Sequence, residues 1–170
     1  MGLFDRLRGS DEPRVAFFGI DGVPHSLVAD HPDVFPNLQA LASSAGGPID
    51  SIVPPESSAC WPSLTTGKNP GETGIYGFQD REIGSYDPYV PSRTDIQVDR
   101  LWDRVHDEDR DATVMNVPVS FPPQRNVQRM VSGFLSPGLD KATHPEETYS
   151  YLEQIDYRID VNAQLGHEED

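Results

Sequence analysis

Residues 14–21 read RVAFFGID, an apolar run without alternation that closes in Asp21 and Gly22. A strand of that kind is buried on both faces, as happens where helices cover both sides of a parallel sheet. The segments that follow agree. In FPNLQALASSAGG, Pro36 stands near a helix start, Leu38, Leu41 and Ala42 keep helical spacing, and Gly closes the segment. PIDSIVPP predicts a second short strand and SSACWPSLTTG a short helix. DIQVDRLWDRVHDED predicts an amphipathic helix with Val98, Leu101, Trp102 and Val105 on one face. ATVMNVPV and RMVSGFL predict further strands, HPEETYSYLEQI a helix entered through proline, and YRIDVNA a last strand. Strands alternating with helices imply an α/β fold whose sheet is mostly parallel. Ligand sites in such sheets lie beyond the carboxyl ends of the strands. Asp21 ends the first strand and Ser57 follows the second, so both are expected at one crevice.

The length of 170 residues suits one domain with a sizeable core, expected over 14–162 with a flexible leader at 1–13 and an acidic tail at 163–170. Acidic residues outnumber basic ones 28 to 13, for a formal charge of −15, and only Lys68 and Lys141 are lysines. Acids scattered along the whole chain, with lysine so scarce, point to a halophilic protein whose self-repulsion is screened by concentrated salt. Duplex nucleic acid is excluded as a partner, because the basic footprint that phosphate backbones need is missing. A single cysteine, Cys60, rules out an internal disulfide and fits a reducing cytoplasm. No apolar run approaches the ~20 residues of a membrane span. MGLFDRLRGSDEP has no apolar core of a secretory signal, and Arg6 breaks the acylation pattern.

Chemistry concentrates in PPESSACWPSLTTGKNPGETG, residues 54–74. Two prolines end an extended run, and two serines open the helix that follows. One reading makes Ser57 or Ser58 an N-cap, a position that Ser favours. The other makes one of them a nucleophile, placed where orphan helix N–H groups favour an anion. An Asp ending an apolar strand usually begins a turn. Together with a hydroxyl around one divalent metal, it becomes a start for metal-assisted attack on phosphorus.

The ordered series FFGIDG, VPPESSACWPSLTTGKNPGETGIYGF, MNVPVSFPP and VSGFLSP resembles the type I phosphodiesterase / nucleotide pyrophosphatase branch of the alkaline phosphatase superfamily, from Arg14 to about Asn162. The resemblance implies an alkaline-phosphatase-like three-layer αβα sandwich, here incomplete. It implies hydrolysis of phosphodiesters or nucleotide pyrophosphates through a covalent phospho-enzyme, with two divalent ions, commonly zinc. Asp21 then falls at the first metal ligand and Ser57 at the nucleophile, which also touches a metal. Ser58 lies one residue past it, with its backbone N–H near the oxyanion. The two adjacent serines leave this register open by one residue. Asn116 is a candidate substrate contact, or simply a polar strand end.

The family completes its metal site with a later Asp-x-x-x-His, an Asp-His pair and a final His. DGVPH (21–25) and DKATH (140–144) imitate the first of these outside its context, so His25 and His144 are expected to be loop and helix-flank residues. His31, His106 and the tail residue His167 are expected at the surface. Cys60 is expected to pack as a small apolar residue and Trp61 to lie in the core. Lys68 and Asn69 are read either as anion contacts or as a geometrically required turn. On this reading the chain carries a nucleophile with too few metal ligands to bind zinc tightly. The alternatives are a non-catalytic interaction module and a sulfatase or phosphomutase relative. The dispersed acids generate one expectation for the whole chain: its melting temperature should rise from low to molar KCl, and a flat or falling trend would refute the halophilic reading.

Overall fold

The computed structural model describes residues 14–160, the side chain of Ala45 excepted, and divides into two compact units, Met1–Ile49 and Asp50–Asp170. The leader 1–13, the tail 163–170 and His167 lie outside the described residues.

In the first unit the described elements are two helices, α1 (His25–Asp30) and α2 (Pro36–Ala45). Pro36 opens α2 at the first helical position, where a missing N–H costs nothing. Residues 14–20 are extended but form no strand, and Phe18 is 85% exposed. The run 48–55 also forms no strand, and Val53 is 85% exposed. Both expected strands therefore need correction. An apolar extended segment becomes a strand only when a neighbouring backbone supplies the ladder, and neither run is given one here.

The second unit contains α3 (Ser57–Thr66), α4 (Pro70–Thr73), the antiparallel pair β1 (Asp80–Arg81) and β2 (Pro88–Tyr89), and a 3₁₀ turn at Arg93–Asp95. After these come α5 (Leu101–Asp107), β3 (Thr113–Val117), β4 (Arg129–Ser132), α6 (Leu139–Ala142), β5 (Thr143–His144) and α7 (Glu146–Gln154). The three-stranded sheet runs β3-β4-β5, with β3 and β4 parallel and β4 and β5 antiparallel. Helices with small mixed sheets make this a partial α/β domain of the alkaline-phosphatase-like kind. No helix among the described residues is long and apolar enough to cross a membrane. The expected last strand is absent over 157–160, and its remainder lies outside the described residues.

The helix expected over 95–109 is shorter because two acids act locally. Asp95 accepts the Ser92 N–H at 2.7 Å and closes the 3₁₀ turn. Asp103 accepts the Arg100 N–H at 2.9 Å and restarts the chain as α5. Trp102 of α5 then packs with Val114 of β3, Met130 of β4 and Val127, with Ala112 and Val117 at the margin. Replacing an aromatic at such a centre by Ala costs about 3–5 kcal/mol.

Trp102 Nε1 donates to Gln124 Oε1 at 2.5 Å, so burying the indole leaves no unpaired donor. Gln124 Nε2 donates to Asp103 Oδ1 at 2.5 Å, and Asn126 Nδ2 donates to the same oxygen at 3.1 Å. The loop joining β3 to β4 is thereby tied to α5. Burial alone would raise the Asp103 carboxyl. The Arg100 N–H, the Asn126 and Gln124 amides and the Arg100 charge together hold it below the ordinary carboxylate value. A depressed carboxyl stabilises the fold fully above its unfolded pKa, about 4, and loses that contribution as pH falls through the folded pKa. Asp103→Asn should therefore cost about 1–3 kcal/mol at neutral pH. Its deficit against the parent should shrink below about pH 4, measured as melting temperature against pH. A deficit constant down to pH 2 would refute this account.

Candidate active site

Ser57 is the first residue of α3, and the preceding Glu56 occupies the cap position. Neither serine is the cap. Glu56 does not cap with its side chain either, because its carboxylate accepts the Phe78 N–H at 3.2 Å. The Glu56 carbonyl accepts from Ala59 N at 3.0 Å and Cys60 N at 2.7 Å, so the helix starts at once. Its first turn consequently keeps its positive dipole end without a cap from the Glu56 side chain.

The adjacent hydroxyls have different environments. Ser57 is partly exposed. Ser58 is only 1% exposed, and its Oγ has no hydrogen-bond partner, as is also true of Ser63 Oγ. The Cys60 thiol is partly buried and lies 3.8 Å from Ser51 Oγ.

The rest of the 54–74 string shapes the backbone. Gly67 ends α3 at φ +69, a left-handed conformation that favours glycine. Asn69 then caps α4, its side chain accepting the Gly71 N–H at 2.8 Å, with Pro70 at the first helical position. Lys68 pairs with Glu72 at 2.9 Å. Of the two readings of Lys68 and Asn69, the turn describes their contacts. Residues Pro62, Thr66, Pro70, Thr73 and Ile75 are buried where α3 and α4 pack together.

A second cluster lies at the carboxyl ends of the parallel strands. Asn116 is a bulge between Met115 and Val117, exposed, at φ +57, and its Nδ2 donates to the Ile159 carbonyl at 3.3 Å. A Cβ on Gly133 would lie 2.5 Å from the Val117 carbonyl carbon, so only glycine allows β4 to end this close to β3. The fully buried Ser120 donates to the Val117 carbonyl at 2.5 Å and accepts from Gly133 N at 3.2 Å. Val119 holds φ +55, which is strained for a β-branched side chain. Its carbonyl accepts from Arg100 Nη2 at 2.8 Å. Arg100 is 3% exposed, lies over the Trp102 ring at 5.3 Å, and has an unpartnered Nη1. Burial, with Arg93 nearby, lowers its pKa to about 10, so it stays charged at neutral pH. Nothing in the sequence marked Arg100. Its neighbours Leu101 and Trp102 suggested only a helix.

A model of the family described as type I phosphodiesterase / nucleotide pyrophosphatase matches residues 15–169. The chain belongs to this family. No curated protein and no solved structure matches it significantly.

Of the family positions, Asp21 is exposed in a turn of the first unit, and Ser57 opens α3 in the second. Among the described residues, no three His, Cys, Asp or Glu side chains come together as a metal site. Asp21 and Ser57 alone fall short of the three or four protein ligands of a usual zinc centre. His25 begins α1, His31 follows it, His106 lies in α5, and His144 is paired in β5 opposite Met130.

The unpaired Ser58 hydroxyl makes a prediction of sign. A buried hydroxyl without a partner costs about 1–3 kcal/mol. Ser58→Ala should therefore leave the melting temperature unchanged or raise it. A loss of more than ~1 kcal/mol would show that the hydroxyl has a partner.

Proposed function

We propose that the chain is a phosphoric ester hydrolase of the phosphodiesterase / nucleotide pyrophosphatase type, with Ser57 as its nucleophile. The observation that carries the reading is the contrast at the start of α3 inside the matched family segment. Ser57 is accessible at an uncapped helix start, whereas Ser58 is buried. A substrate phosphorus can approach only the accessible oxygen.

In the proposed reaction, Ser57 Oγ attacks the phosphorus of a phosphodiester or nucleotide pyrophosphate. The bond from Oγ to phosphorus forms, and the bond from phosphorus to the leaving oxygen breaks. The proton lost by the hydroxyl balances the charge on the departing alcohol or phosphate. Water then attacks the phosphoserine and restores the hydroxyl. The first-turn N–H groups of α3, that of Ser58 among them, face developing charge on the non-bridging oxygens. Asn116, an exposed amide at a strand end, contributes a substrate contact. The family's divalent ions would require ligands in addition to Asp21 and Ser57, so the steps assigned here are those of the chain's own groups.

Three variants test the reading on a chromogenic phosphodiester with divalent metal supplied. Ser57→Ala should remove nearly all turnover while the fold survives, because Ser57 does not cap the helix. Ser57→Thr should keep a good fraction, since it presents the same hydroxyl with one more methyl. Ser58→Ala should do far less damage. If Ser58→Ala is the inactive variant, the register is wrong by one residue. If the parent itself fails to turn over at any metal concentration, the hydrolase reading gives way to a non-catalytic interaction module.

A further inference from the structure

The same unit contains a second polar cavity, of about 690 Å³, that the phosphoryl-transfer reading does not use. Its walls come from Arg93, from the loop 122–126, and from α6 and β5. We propose that this cavity binds a small, multiply charged anion of the condensed-phosphate class through Arg93, Arg125 and Lys141.

The first argument is charge. Over the whole chain acids exceed lysine and arginine 28 to 13. In the cavity the ratio inverts, with Arg93, Arg125 and Lys141 against the single carboxylate of Asp140, and the His144 imidazole beside them. Cations gathered in one concavity repel one another unless an anion offsets them.

The second argument is pairing. Lys68, the other lysine, is neutralised by Glu72. The side chains of Arg125, Lys141 and His144 make no hydrogen bond or ion pair with any described residue. Among the described residues Asp140 is the one carboxylate in the cavity wall, and no ion pair joins it to Arg125 or Lys141.

The third argument is preorganisation. The Arg93 N–H donates to the Phe121 carbonyl at 2.8 Å and its Nε to the Pro122 carbonyl at 2.7 Å. That pins the guanidinium and leaves its Nη groups as donors in the fork geometry suited to phosphate oxygens. The loop 122–126 is held in turn through Gln124 and Asn126 on Asp103, so the wall is built before a ligand arrives. The volume lies within the usual range of small-ligand sites, roughly 300–1,000 Å³. The acidic surface elsewhere repels long polyanions, which confines the ligand to a small ion.

Inorganic pyrophosphate is the probe, titrated calorimetrically into the full chain at low ionic strength. Saturable binding is expected, weakening as salt rises. The double variant Arg125→Ala, Lys141→Ala removes side chains without partners among the described residues, so it should fold normally and lose about tenfold or more in affinity. Arg158→Ala, a cation paired with Asp156 elsewhere, should bind like the parent, and so should Ser57→Ala. Absence of saturable binding overturns the proposal, as does a double variant that binds like the parent. Citrate binding as tightly as pyrophosphate would overturn the phosphate class. Binding lost in Ser57→Ala but kept in the double variant would place the anion at α3, which refutes this site and leaves the hydrolase reading standing.

Discussion

Gln124 accepts from the Trp102 indole and donates to the Asp103 carboxylate, and those two bonds tie one helix to the loop that joins the parallel strands. The indole sits in the apolar centre shared by β3 and β4. The carboxylate starts the helix by holding the Arg100 N–H. Arg100 reaches from the same helix start to the Val119 carbonyl, just beyond β3. Strand pair, strand-end loop and helix are therefore coupled through a few buried polar contacts. Such contacts are strong in a dry interior and expensive when incomplete. The orphaned Arg100 Nη1 is the incomplete member here. The strained Val119 backbone is held beside it, so the strand end is kept in a shape that local preference would not choose.

The two polar regions of the chain use charge in opposite ways. At α3 the positive element is the helix start, left without a side-chain cap because Glu56 turns to the Phe78 N–H. At the 122–126 loop it is a group of three full cations facing the single carboxylate of Asp140 in a strongly acidic chain. The first arrangement favours charge that develops on a reacting phosphoryl group, and the second favours charge already present on a ligand.

Several features were legible in the residues because their cause is local. The helices at 36–45, 57–66 and 146–154 follow from proline starts, glycine stops and spacing, and each forms where expected. The strands 113–117 and 129–132 were visible as apolar runs and do pair in parallel. The family was legible because its central string doubles as backbone punctuation, with Gly67 and Gly74 in left-handed positions and Asn69 as a cap. The expected strands at 14–21 and 48–55 failed for a non-local reason. A strand exists only with a neighbour, and no periodicity in a segment reports whether the neighbour is there.

By itself, then, the sequence determined the family, the helix boundaries set by Pro, Gly and Asn, and the acidic balance, since each depends on residue type and short spacing alone. Tertiary structure decided which hydroxyl is accessible at the start of α3. Ser57 and Ser58 are chemically identical neighbours, and only the packing beneath the helix buries one of them. Tertiary structure likewise brought Arg93, Arg125 and Lys141, 48 positions from first to last, around one cavity. Burial and the meeting of distant charges depend on how the chain returns upon itself, which no local pattern of residues encodes.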